Sequence, residues 1–324
     1  MTTNRSIGMG VALAMSAVSI WAGWMAFTRA GLLRTQLQPT DIAALRFFVA
    51  GALLTPVVWR RGLALDKLGW RGLALVVAGA GVPYALVCSE GLLFAPARHA
   101  GALIPGTMPL FAALLAAWLL REPVSGVRRL GFASIFCGIV TLVFLDIALT
   151  GHVPPDQWKG HLLFLTAAVM WAGFTVTMKR AGIAPLHATA IVAVCSMVIY
   201  LPLYLAVSGV ELLHRASPGA LAFQALYQGV ISSIVALLFY NKAIAILGAS
   251  RGAAFASLTP VLSAVFAIPL LGEYPTLADW LGTAFIATGV ALASGLFVRR
   301  AAPERLAAQQ RTRAEAASPP VAAP

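Results

Sequence analysis

The chain has 324 residues, of which 60% are hydrophobic and only 10% are Asp, Glu, Lys or Arg, and its mean hydropathy is +0.86. An ordinary soluble domain carries roughly 25% charged residues, so this composition excludes one and defines an all-α polytopic membrane protein. The formal charge of +12 raises the question of nucleic acid, which is answered by where the basic residues fall.

A spanning helix needs about 20 mainly apolar residues, and ten stretches qualify. Residues 7–29 follow only Met1 to Ser6; they are too long for a signal peptide and lack its small-residue cleavage pattern, so they form a retained helix 1 containing Trp21 and Trp24. Helix 2, residues 41–59, contains Arg46, and helix 3, residues 72–94, contains Tyr84, Ser89 and Glu90. Helix 4, residues 100–120, contains Pro105, Gly106 and Pro109, and is followed by a Gly-rich helix 5 at residues 129–148. Helix 6, residues 160–178, contains Trp171 and Phe174; helix 7 covers residues 186–207; helix 8, residues 221–243, contains Tyr240, Asn241 and Lys242. Helix 9, residues 252–271, contains Thr259 and Pro260, and helix 10 covers residues 277–298. Residues 299–324 set five arginines among Ala, Gln, Ser and Pro, the composition of a disordered cytoplasmic tail that serves as a topology anchor or touches anionic headgroups.

The second half repeats the first. Gly101, Pro109 and Glu122 meet Gly252, Pro260 and Glu273 at one offset of 151, and Trp21-Ala22-Gly23 is echoed by Trp171-Ala172-Gly173. The units are residues 7–148, holding helices 1–5, and residues 160–298, holding helices 6–10. Most of the 23 Lys and Arg residues fall on one side of this map, among them Arg60, Arg61, Lys67, Arg71, Arg128, Arg129, Lys179, Arg180, Lys242 and Arg251. The other side receives Arg29, Arg34, Arg98, Lys159 and Arg215. That bias puts both termini inside and explains the basicity without nucleic acid. Five helices per unit is odd, so the two repeats are inverted, and a substrate site is expected near the midplane where they meet.

Proline frees a backbone carbonyl that lipid cannot satisfy, so Pro105, Pro109 and Pro260, with Thr259, mark either cavity walls or kinks that serve packing. Trp21, Trp24, Trp171 and Phe174 lie deep rather than at the interfaces, positioned either to stack on substrate or to let a neighbouring helix pack closely. Glu90 is an intramembrane carboxylate and so a candidate for proton coupling or for binding a substrate ammonium; the alternative is a structural role in an outer vestibule. By depth, Arg46 is its charge partner. Lys242 lies toward the inside and either snorkels or belongs to an inner gate. Tyr84, Ser89, Tyr240 and Asn241 either orient a ligand or bond between helices. Asp41, Asp146 and Asp279 fall at helix ends, where a solvated face is the ordinary explanation. The five histidines are scattered, the three cysteines have no metal or redox spacing, and GxxxxGK[ST] is absent. No catalytic constellation, metal or cofactor is expected, and a lipid-modifying enzyme is disfavoured.

Pro109 through Leu119-Leu120-Arg121-Glu122 followed by Gly131 and Gly138, and Pro260 through Leu270-Leu271-Gly272-Glu273 followed by Gly282 and Gly289, together with Arg46-Phe47, resemble the ten-helix proteins of the drug/metabolite transporter superfamily that carry two EamA-type repeats. Arg121 departs from the Gly usual before that Glu. The resemblance implies a multi-pass bacterial inner-membrane permease that exports amino acids or related metabolites through a central cavity by alternating access, its partners being a small-molecule substrate and the bilayer. Broad export of lipophilic or cationic toxic compounds is the alternative within transport.

Overall fold

The computed structural model describes residues 2–120, 126–151 and 155–293. The first repeat's Arg121-Glu122, the second repeat's last residues 294–298 and the basic tail lie outside the described residues. Among the described residues every regular element is helical. We number α1 Thr2–Arg34, α2 Pro39–Arg61, α3 Leu65–Phe94, α4 Ala97–Leu120, α5 Gly126–Leu149, α6 Gln157–Ala181, α7 Pro185–Ser208 and α8 Pro218–Leu247. Ala249–Ala256 and Thr259–Leu271, joined by a turn, are taken together as α9, and Leu277–Ala293 is α10. A single turn, Leu212–Arg215, bridges α7 and α8. Eight of the described helices are long and apolar enough to cross a membrane; α10 is a shorter apolar helix, and α4 has 24 residues.

Several boundaries differ from expectation for local reasons. α1 runs to Arg34 rather than 29. α3 starts at Leu65, with Gly69 at φ 60 interrupting it, and is broken again at Gly81, where Val82-Pro83 opens a new helical segment. Proline fits there because the first helical turn has no intrahelical partner for its amide. α8 contains an 11-residue π-helical stretch, Ala225–Val235, longer than the single-turn bulges in which this geometry is mostly found.

Packing follows the internal duplication. α1 lies against α8 and α9, as α6 lies against α3 and α4. The equivalent helices α5 and α10 pack on each other through glycine. A Cβ on Gly131 would lie 2.7 Å from the Gly289 carbonyl oxygen, and one on Gly138 would lie 2.7 Å from that of Gly282. The converse contacts are as tight, at 2.5 Å from Gly289 to Gly131 and 3.0 Å from Gly282 to Gly138. Gly131 corresponds to Gly282 and Gly138 to Gly289 at the repeat offset, so the contact is reciprocal and the helices run antiparallel. Small residues let backbones meet where lipid supplies no hydrophobic drive between helices. α4 packs closely on both neighbours, Gly101 against Ser263 of α9 and Gly106 against Ile286 of α10, with Pro260 of α9 in ordinary contact.

Gly138→Ala forces a methyl onto the Gly282 carbonyl, whereas Gly173, with nothing within 4 Å of a built Cβ, accepts one. The expected result is a loss of about 1–3 kcal/mol for Gly138→Ala, the usual range for overpacking, and almost none for Gly173→Ala, checked by thermal unfolding of the detergent-solubilised protein.

Candidate functional site: an aromatic cage around Arg46 and a charged mouth

The break at Gly81 restarts α3 so that Tyr84 and Cys88, one turn apart, are both buried. Tyr84 stacks on Trp24 of α1 at 6.4 Å and 13° between ring planes, and meets Trp171 of α6 at 5.1 Å; Trp171 in turn meets Phe174 at 5.3 Å. Arg46 of α2 places its guanidinium 5.1 Å from the Trp24 ring centroid and 5.5 Å from that of Phe47. Its Nε is buried without a hydrogen-bond partner, while the side chain as a whole is only half-buried. The guanidinium thus lies against two ring faces, Trp24 of α1 and Phe47 of its own helix, an attraction of about 0.5–2 kcal/mol, and Tyr84 and Trp171 carry the aromatic row on from Trp24 to the second half.

Among the described residues Arg46 forms no ion pair, so the expected partnership with Glu90 is not made. The reason is helical phase: Glu90 lies two residues beyond Cys88, about 200° around the axis, and points away from the cage. It is half-buried. Of the other expected site residues, Trp21 packs on Tyr240 at 5.1 Å and donates Nε1–H to the Ser232 carbonyl at 3.3 Å. Asn241 is half-buried next to Tyr240, and Ser89 is buried in α3. Thr259 and Pro260 are buried in the α4–α9 crossing, with Pro105 and Pro109 half-buried on the facing helix. In this conformation Pro260 is therefore packing surface rather than open wall.

A polar ladder joins α1 to α8, and the sequence reading missed it. Trp24 Nε1–H donates to Gln228 Oε1, and Gln228 Nε2 donates to Thr28 Oγ1 at 2.9 Å and to Gln224 Oε1 at 3.1 Å. Gln224 Nε2 continues to the Phe27 carbonyl at 2.9 Å. Gln228 and Thr28 are fully buried, and these bonds fix the plane of the Trp24 ring over which Arg46 sits.

At one end of the bundle the helix termini converge on a charged cluster. Gly272 ends α9 in the left-handed conformation, φ 70, which glycine adopts freely. The turn brings Glu273 to Arg29 Nε at 2.7 Å and to Arg98 at 3.7 Å. Arg98 Nε also donates to Asp279 Oδ2 at 2.7 Å, and His99 Nε2 lies 2.7 Å from Asp279 Oδ1. His99 Nδ1 faces His161 Nε2 at 2.9 Å, with Gln157 Nε2 3.1 Å from His99 Nδ1. Arg29 Nη1 caps α3 by donating to the Leu92 and Ala95 carbonyls. Asp279 is 3% exposed and Asp41 0%, which corrects the expectation of solvated faces; the side chain of Asp146 lies outside the described residues. Asp41 accepts from both Arg215 at 2.9 and 3.0 Å and the Tyr204 hydroxyl, and this hydrogen-bonded carboxylate holds the Arg215 guanidinium above the ordinary arginine range. His99 and His161 are 62 residues apart, a spacing that carries no signal; Thr276 and Asp279 have the spacing of a helix cap, which they form.

The chain belongs to the EamA-like transporter family, whose sequence pattern matches residues 8–144 and again residues 158–295. It is similar to an uncharacterised transporter, YyaM, of Bacillus subtilis, with 26% identity over 80% of this chain and 85% of that one. An uncharacterised transporter of Archaeoglobus fulgidus is 28% identical over 84% and 93% of the two chains. The S-adenosylmethionine uptake transporter of Rickettsia felis is 28% identical over 78% and 82%. A solved crystal structure with 22% identity shares the fold at a TM-score of 0.57, covering 90% of this chain and 99% of its own. The protein is a multi-pass membrane transporter.

Gln228→Leu leaves the Trp24 indole N–H without its buried acceptor and the Gln224 Oε1 without its donor, while Thr28 keeps its bond to the Trp24 carbonyl. An unsatisfied buried group costs about 1–3 kcal/mol, so the variant is expected to unfold at lower temperature than the unsubstituted protein; differential scanning fluorimetry in detergent checks it.

Proposed function

We propose that the protein is a secondary transporter of the bacterial inner membrane that exports small carboxylate-bearing metabolites, amino acids first among them, by alternating access between two inverted repeats. The observation that carries this reading is Arg46: a guanidinium held against Trp24 and Phe47 with no carboxylate bound to it. A buried cation is stable only when something negative meets it. A substrate carboxylate would bond the planar fork in bidentate fashion, and the faces of Trp24, Tyr84 and Trp171 would receive the substrate's apolar or ring portion. A cationic drug would be repelled by the same group.

For topology the reading counts α4 and α10 with the eight longer spans, giving ten with both termini inside. Supporting this are the basic residues Arg60, Arg61, Lys67, Arg71, Lys179, Arg180, Lys242 and Arg251 at the opposite end from the charged mouth. The reciprocal antiparallel contact of α5 with α10 supports the inversion of residues 160–298 relative to 7–148. The direction is the family's usual one; since the relative in Rickettsia felis is named for uptake, vesicle orientation belongs in the test. That relative also makes S-adenosylmethionine, an amino acid joined to an adenine ring, a compound to include.

The test is flux in proteoliposomes of labelled amino acids, S-adenosylmethionine, nucleosides and cationic dyes. The reading expects one or more carboxylate compounds to move, with Arg46→Gln weakening apparent affinity at least tenfold, the equivalent of about 1.4 kcal/mol, and Arg46→Lys only partly restoring it because an ammonium lacks the planar fork. Movement of cationic dyes with indifference to every carboxylate compound would sink it.

A further inference from the structure

The charged mouth is not used by the substrate site, and its composition is unusual. Its cations and anions balance: Arg29 and Arg98 against Glu273 and Asp279. Into that balanced set two imidazoles are packed, His99 at 4% and His161 at 7% exposure. We propose that the His99–His161 pair, seated on Asp279, is the proton-binding site of this transporter, and that one proton bound there releases the mouth. The proposal rests on the secondary-transport reading above.

The hydrogen-bond geometry sets the stoichiometry. With Asp279 ionised, His99 donates Nε2–H to Oδ1 at 2.7 Å and its Nδ1 accepts the Nε2–H of His161 at 2.9 Å. One added proton enters at the free nitrogen of His161. The charge then passes to His99 by transfer of the shared proton across that contact, with no bond other than N–H made or broken. A second proton would place two imidazolium ions 2.9 Å apart, which like-charge repulsion forbids. The pair therefore binds one proton as a unit.

The surrounding charges link that proton to opening. The groups facing the pair are Arg98 on its own helix α4, Gln157 on α6, Asp279 on α10, and, one contact further, Glu273 after α9 and Arg29 on α1. On α6, Lys159 is paired with Asp156 at 2.8 Å in a solvated position, and on α3 Glu90 makes no hydrogen bond or ion pair with any of them. The cluster is neutral without the proton and carries one uncompensated positive charge with it. In a closed, mostly buried mouth that charge is poorly solvated; in an open mouth water solvates it. A ligand that binds one conformation better shifts the population toward it, so acid favours the open mouth.

The contacts also lie where such a shift has leverage. Arg29, Arg98 and His99 belong to the first matched stretch, 8–144, and His161, Glu273 and Asp279 to the second, 158–295. The two halves cannot part at this end while the set is intact.

The experiment needs no substrate. The full chain, with Cys88, Cys137 and Cys195 replaced by alanine, is placed in nanodiscs with spin labels at Phe94→Cys and Tyr274→Cys, on opposite halves at this end, and the label separation is measured by pulsed electron spin resonance at about pH 8 and about pH 5, a window that brackets histidine titration. The expected result is a longer separation populated at the acid pH, lost in His99→Gln, weakened in His161→Gln and retained in Glu90→Gln. His161→Gln leaves the His99–Asp279 contact intact and keeps an amide donor, so it distinguishes loss of the imidazole from loss of folding. No pH response in the unsubstituted pair, a response that survives both glutamine variants, or one that Glu90→Gln removes would each overturn the proposal. A flat pH response with carboxylate flux intact rejects the proton site alone, and a pH response with no flux of any compound rejects the transport reading alone.

Discussion

A half-buried guanidinium with nothing negative bound to it is costly, and the packing of Trp24 and Phe47 is organised around one. Cation–ring contacts return about 0.5–2 kcal/mol, less than the several kcal/mol that desolvating an ion takes. Arg46 is therefore stable only because its side chain remains half-buried, and it becomes better solvated when an anion arrives. The fold keeps the position both shielded and reachable. Trp24 is locked in plane by Gln228, Tyr84 is placed by the helix restart at Gly81, and Trp171 comes from the other half of the chain.

Two kinds of contact join the halves, and they differ in how readily they can be undone. The glycine contacts of α5 with α10 bring backbone to backbone, depend on no charge and do not respond to pH. The mouth is made of ion pairs and imidazoles that do. A transporter that rocks one half on the other needs a fixed seam and a breakable one; the polar ladder joins the halves separately, between α1 and the π-helical stretch of α8. This division follows from chemistry: van der Waals packing has no alternative partner in lipid, whereas an ion pair can exchange its partner for water.

Much of the architecture was legible because lipid leaves a chain few options. Composition alone excluded a soluble domain, and the apolar stretches fell close to the helices, since backbone groups in hydrocarbon must be satisfied within a helix. The echo of Gly101, Pro109 and Gly131 in Gly252, Pro260 and Gly282 pointed to a duplicated unit, and the family pattern matches the chain twice. Trp24 and Trp171 were singled out by being deep, Tyr84 by its hydroxyl and Phe47 only as the neighbour of Arg46. What could not be read was helix phase. Arg46 and Glu90 were matched by depth, but Glu90 turns away from the cage. The histidines looked scattered because their meeting depends on how α4 and α6 lie side by side, and Asp41 and Asp279 looked like ordinary helix-end residues because a cap has the same sequence whether it is solvated or buried. Gln224 and Gln228 gave no signal in a helix otherwise apolar.

The central claim, that Arg46 reads a carboxylate, is tested most directly by pairs of ligands that differ in that group alone. Competition for binding to the purified protein would compare each bound amino acid with its decarboxylated amine, and S-adenosylmethionine with its decarboxylated form. The account predicts that every compound that binds loses its affinity with the carboxylate, and that the two members of each pair become equally weak in Arg46→Gln. Amines that bind as well as their parent acids, or a discrimination that survives Arg46→Gln, would contradict it.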